Sequence, residues 1–202
     1  MVHFGRPLAT MSAVFVNAGD HRMPELPQAG RQDRIATWLG WLLFVSFLAL
    51  FINIVNLPRT PLDQRAPLQM LHDSLGFVVF VLVIGRLVWW FRGPAPSAPD
   101  GLPAASFNFN RAILLALLLT FTAEAVIGPF YAWAEGRNVG FFGTYLPVLM
   151  QPSESVRIPT GYLHSALGFY YMMLVTIWLC FGAYQHLRYR VGLRRLWPGA
   201  AV

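Results

Sequence analysis

Four apolar stretches of about twenty residues each, separated by short segments rich in proline, glycine and charge, limit what this chain can fold into. They run from about Ile35 to Leu57, Gln69 to Phe91, Arg111 to Trp133 and Tyr162 to Ala183. As helices, each is long enough to cross a hydrocarbon core of about 30 Å. A backbone in lipid must satisfy its own hydrogen bonds, and a helix does so within one segment. Only 12% of the residues are charged, where a soluble domain averages about 25%. The expected fold class is therefore all-α integral membrane, a bundle of four transmembrane helices. The expected organisation is a mobile cytoplasmic tail over 1–34, the membrane domain over 35–187, and a basic cytoplasmic tail over 188–202. The patch around Val14–Val16 is too short for a signal peptide, and Met1, Met11 and Met23 all stand open as the start.

Arginine placement orients the bundle. The basic residues are 15 arginines and no lysine. Eleven fall in the two tails and around the connector between the second and third spans, against four (Arg59, Arg65, Arg137 and Arg157) on the other side. Cytoplasmic loops carry the positive excess, so both termini are expected in the cytoplasm of a bacterial cell, with the chain in its inner membrane. The net charge of +6 then belongs to a membrane face and not to a nucleic-acid surface. The single cysteine, Cys180, excludes an internal disulfide and any cysteine cluster, and is expected to be a small buried thiol.

Against this apolar background one pattern occurs twice. Residues 71–77 read LHDSLGF and residues 163–169 read LHSALGF, so five of the seven positions match. Each copy opens a span. Residues at i and i+4 share a helix face, so Gly76 lies one turn below His72, and Gly168 one turn below His164. A histidine above a missing side chain leaves a flat space beside the helix. Two such helices facing each other can hold a planar macrocycle between two imidazoles, which makes His72 and His164 candidate axial ligands of one b-type haem. The bland alternative is two unrelated interfacial histidines. By the arginine count both lie near the outer, periplasmic face.

Three other features carry chemistry. Glu124 is an acid inside the third apolar run, and such residues are costly and usually face the bundle interior. It reads either as a buried structural hydrogen-bonding group or as a proton-handling acid near a quinone. Arg86, late in the second span, reads as a snorkelling anchor. The loop 134–160 contains FFGTYLPVLM (141–150), too short to cross, and is expected to form an interfacial helix or a lid over the bundle. Residues 93–110 read as a proline-rich connector. Broken-helix signals are lacking, which disfavours a transporter or channel.

Taken together, Arg34 with Trp41, LHDSLGF followed by Arg86–Leu87, Val126–Ile127–Gly128, LHSALGF, and the tail Gly192–Leu193–Arg194–Arg195–Leu196–Trp197–Pro198–Gly199 resemble the bacterial cytochrome b561 family. The related cytochrome b subunits of formate dehydrogenases and nickel-iron hydrogenases share the pattern, over about residues 33–199. The resemblance implies two stacked haems, the outer one held by residues matching His72 and His164. The inner one needs a histidine directly before the residue matching Trp41, where this chain has Gly40. Its partner would lie about fourteen residues below His164, where Val175 and Trp178 stand. The inner haem is therefore expected to be absent, with Trp38, Trp41 or Trp178 filling its space.

The histidine pair and the resemblance together imply a membrane electron-transfer protein with one haem b. It would exchange electrons between a quinone, ubiquinone being one option, and a periplasmic-side partner such as a cytochrome, a dehydrogenase subunit or superoxide. Glu124, Tyr131 and Tyr145 are the candidates for a quinone pocket, and Arg65, Arg137 and Arg157 for attracting an anionic partner. The alternative is an accessory or anchor subunit of a larger respiratory or photosynthetic complex, with or without haem. In either case the lipid bilayer is the main surrounding partner.

Overall fold

The computed structural model describes residues 29–190, apart from 94, 95, 97, 99 and 100. The expected N-terminal tail up to residue 28 and the C-terminal tail from residue 191, including the Gly192–Gly199 motif, lie outside the described residues. Four helices make up nearly all of the rest: α1 (Ala29–Asn56), α2 (Arg65–Arg92), α3 (Ala104–Ala134) and α4 (Glu154–Tyr189). All four are long and apolar enough to cross a membrane, as the apolar runs require. The chain is a four-helix membrane bundle.

All four helices start earlier than the hydropathy pattern predicts, α1 at Ala29 inside the expected N-terminal tail and α2 at Arg65. α3 takes up residues 104–110 of the expected connector, and α4 takes up 154–160 of the expected loop. Hydropathy marks the part of a helix that meets lipid, whereas the helix itself runs on to the next breaker. For α3 and α4 those breakers are Pro103, with φ −57° and ψ 136°, and Ser153, with φ −151° and ψ 115°. Pro159 lies in the second turn of α4 and removes one hydrogen bond there, yet the helix continues through it. With 36 residues, α4 is about 54 Å long and stands well clear of a core of about 30 Å.

α3 packs along α4, α1 along α2, and α2 also meets α3. The central core joins Leu50, Val79, Val83, Leu118 and Phe121. Tyr171 lies between Phe47 and Phe121, with ring centroids 4.9 Å from each. Large apolar residues such as Val45, Ile52, Val81 and Leu119 stay exposed on the outside. Lipid tails are as apolar as these side chains, so packing and hydrogen bonds hold the helices together instead of a hydrophobic driving force. One such bond runs from Asn53 Nδ2 to the carbonyl of Leu68, 3.0 Å away, and ties the end of α1 to the start of α2. One expectation fails here. Cys180 is exposed on α4 and not buried, because on a lipid-facing surface a small apolar thiol gains nothing by turning inward. Trp38 is 55% exposed and fills no internal space, whereas the half-buried Trp178 encloses its Nε1.

The segment between α3 and α4 is the lid expected from its aromatic composition, built as a hairpin and not as a helix. Gly136, at φ +81°, ends α3, with its N–H bonded to the Trp133 carbonyl at 2.9 Å and that of Arg137 to the Ala132 carbonyl at 2.9 Å. Strands β1 (Gly140–Phe141) and β2 (Thr144–Tyr145) then pair antiparallel. The two linking residues, Phe142 and Gly143, both have positive φ, 46° and 89°, as a two-residue hairpin needs. Val139, Leu146 and Met150 pack against Ala132 and Trp133 beneath it.

Candidate functional site

The two matched histidines meet. His72 on α2 and His164 on α4 bring their ring centroids to 6.2 Å, with the ring planes at 86°. Among the described residues, α2 and α4 are not a closely packed pair of helices, and the two imidazoles reach toward each other from them. Both Nδ1 atoms are buried without a hydrogen-bond partner, whereas neither Nε2 is among the enclosed, unpartnered atoms.

This geometry can be tested against haem. Imidazole nitrogen sits about 2.0–2.1 Å from a first-row divalent metal, and a five-membered ring's centre lies about 1 Å behind its nitrogen, so two axial imidazoles have centres about 6 Å apart. The observed separation fits, and sharing an iron fixes separation but leaves the rotation of each ring free. No cluster of three or more His, Cys, Asp or Glu occurs among the described residues. A porphyrin needs none, because it brings four nitrogens and asks the protein for two ligands.

The two glycines of the repeat have different surroundings. A Cβ added at Gly76 would meet nothing within 4 Å, as at Gly40, Gly85 and Gly182. A Cβ at Gly168 would lie 3.4 Å from Glu124 Oε1, so the Glu124 side chain occupies that side. Glu124 also comes within 3.1 Å of His164 Nδ1 through the same oxygen. Tyr131 stacks on His164, with centroids 6.3 Å apart and planes at 30°, and its hydroxyl donates to Glu135 at 3.4 Å.

Sequence reasoning gave no place at the site to two glycines, Gly128 and Gly161, that make these contacts possible. A Cβ at Gly128 would stand 3.0 Å from His164 Cε1, and one at Gly161 would stand 2.7 Å from a Tyr131 ring carbon. Read with Gly168, these give three crossings between antiparallel α3 and α4: Glu124 on Gly168, Gly128 under His164, and Tyr131 on Gly161. Each large side chain enters a site where its opposite has none. The available signal was the spacing of small residues at membrane-helix contacts, present at Gly161 and Gly168 and opposite them at Gly128. Asp73 and Ser74, directly after His72, were overlooked as well. The N–H of Gly140 donates to Asp73 Oδ2 at 2.8 Å, and that of Phe142 to Ser74 Oγ at 2.9 Å. Phe141 meets Phe77 edge-on at 4.9 Å. The hairpin is thus fastened to the first turns of α2 beside a candidate ligand.

The candidate quinone residues are not brought together. Glu124 and Tyr131 flank His164, but Tyr145 is 59% exposed on the hairpin. The three candidate arginines are engaged locally. Arg65 donates to the carbonyls of Thr60 and Pro58 at 2.7 and 3.0 Å, Arg137 pairs with Glu135 at 2.6 Å, and Arg157 pairs with Glu154 at 2.7 Å.

The family model described as prokaryotic cytochrome b561 matches residues 31–199. No curated protein matches the chain.

Proposed function

The chain belongs to the prokaryotic cytochrome b561 family, a family of multi-pass bacterial membrane cytochromes that carry electrons, and from that premise we propose a mono-haem electron carrier with His72 and His164 as its axial ligands. The observation that carries the reading is the 6.2 Å convergence of two imidazoles from two helices that otherwise stand apart. When bound, haem b would supply a one-electron couple, and with His72 and His164 both holding it the site would favour electron transfer over oxygen binding. Gly76 leaves room for the flat face, Tyr131 stacks behind His164, and the hairpin held by Asp73 and Ser74 limits access of water from the loop side.

An inner haem has no ligands in this reading. Gly40, Val175 and Trp178 stand where its histidines would be, and the packed cluster around Phe47, Phe121 and Tyr171 lies below the His pair. A single station cannot relay electrons across the bilayer unaided. The exchange we propose is therefore on one side of the inner membrane, the periplasmic side by the arginine bias, between a quinone and a partner on that face.

A reduced-minus-oxidised spectrum with haem-to-protein stoichiometry tests this. One haem per chain is expected, and His72→Ala or His164→Ala should abolish the band. Two haems per chain, or a band that survives both substitutions, overturns the ligand assignment. A purified chain without haem would return the protein to the anchor-subunit reading.

A further inference from the structure

The two proposed ligands differ in what stands behind them. Glu124 comes from the neighbouring helix to within 3.1 Å of His164 Nδ1, in a site where only 26% of the His164 side chain and 15% of the Glu124 side chain remain accessible. The contact is out of line for a hydrogen bond, and both Nδ1 of His164 and Oε2 of Glu124 are buried and unpartnered. The last torsion of histidine is soft, so a turn of the ring on its Cβ–Cγ bond is enough to align them. Among the described residues, no carboxylate pairs with His72 in this way. The nearest carboxylate in sequence, Asp73, is committed elsewhere: Oδ1 accepts from Gln69 Nε2 at 3.0 Å and Oδ2 from the Gly140 N–H at 2.8 Å.

We propose that Glu124 is a positioning residue for the His164 ligand: its carboxylate accepts the Nδ1–H, which fixes the ring and leaves Nε2 to the iron. The inference rests on the mono-haem reading above. Ligating histidines commonly donate their second N–H to a carboxylate, and that bond sets the tautomer and raises the basicity of the ligating nitrogen. The α3–α4 crossings hold the pair in register, because Glu124 lies over Gly168 and His164 lies over Gly128. This use of Glu124 also competes with a quinone role. A carboxylate enclosed between two helices is poorly placed to meet a ligand arriving from lipid.

A more basic ligand favours the ferric over the ferrous state and so lowers the midpoint potential. Loss of an outer partner of this kind typically weakens metal binding 10–100-fold. Each tenfold change in the ferric-over-ferrous preference equals about 59 mV for one electron. The test is redox titration and low-temperature EPR of the full-length, haem-loaded chain with Glu124→Leu and Glu124→Gln. Glu124→Leu should retain haem, raise the potential by about one such tenfold step or more, and shift the ferric g values. Glu124→Gln keeps the size and the acceptor oxygen but not the charge, and should give a smaller shift in the same direction. Unchanged potential and g values in both variants overturn the proposal. If Glu124→Leu cannot hold haem, Glu124→Gln decides by the same two readouts. Haem that survives His164→Ala would instead remove the ligand assignment beneath, an outcome distinct from either.

Discussion

In the first copy of the repeat, Asp73 and Ser74 hold down a hairpin. In the second, the same two places are Ser165 and Ala166, and the work passes to the face carrying His164 and Gly168, which is locked against α3. Phe77 packs on Phe141 of the hairpin, whereas its counterpart Phe169 is 71% exposed toward lipid. Gly76 borders open space and Gly168 borders a carboxylate. The comparison teaches that the matched residues carry the shared task of presenting an imidazole. The two mismatched ones record how each helix is anchored: one to a loop, the other to a neighbouring helix.

The largest effect separating or uniting the copies is haem loss. His72→Ala and His164→Ala should each remove the whole haem band, since neither imidazole holds the group alone; a variant that keeps half the signal would break the equivalence. Next comes conversion of the first copy into the second, Asp73→Ser with Ser74→Ala. It leaves two lid N–H groups without acceptors, at about 1–3 kcal/mol for each that stays buried. Amide exchange at Gly140 and Phe142 should accelerate strongly while that of α4 is unchanged, and equal acceleration in both regions would deny the lid its separate anchor. Phe142 adds to the sensitivity, because its positive φ costs about 1–3 kcal/mol and the bond to Ser74 helps to hold it.

Smaller effects come from the glycines. Gly161→Ala puts a methyl 2.7 Å from the rigid Tyr131 ring and should destabilise the bundle by about 1–3 kcal/mol in thermal unfolding. Gly76→Ala meets nothing, and as a helix-interior change should stabilise the fold by up to about 1 kcal/mol. If the space beside Gly76 receives the porphyrin, the same variant should bind haem more weakly although it unfolds later. Stability and haem content moving in opposite directions is the expected signature, and unchanged haem content would show that the space serves nothing.

The sequence made the spans and the paired histidines legible because both depend on local pattern: length of apolar run in one case, a repeated heptapeptide in the other. The early starts of α3 and α4 were hidden, because Ala104–Asn110 and Glu154–Thr160 are polar enough to read as loop, and Pro159 reads as a stop although the helix runs through it. Glu124 stood out as a buried acid, but its neighbour did not, since which face of α3 meets α4 depends on three glycines whose significance appears only in pairs. The position of Tyr145 was not legible, because membership of an aromatic stretch says little about which side of a two-residue hairpin a residue occupies.

The interlocking of α3 with α4 has a further consequence. Three knobs alternate between the helices, two offered by α3 and one by α4, so a slide of one turn would press ring against ring. The two segments can therefore only tilt together as a single rod. In a thicker or thinner bilayer the mismatch is taken up by tilt or by the lipid, and the vertical level of His164 relative to α3 stays constant. The level of His164 is thus set by its neighbouring helix, and membrane composition has little leverage over that alignment.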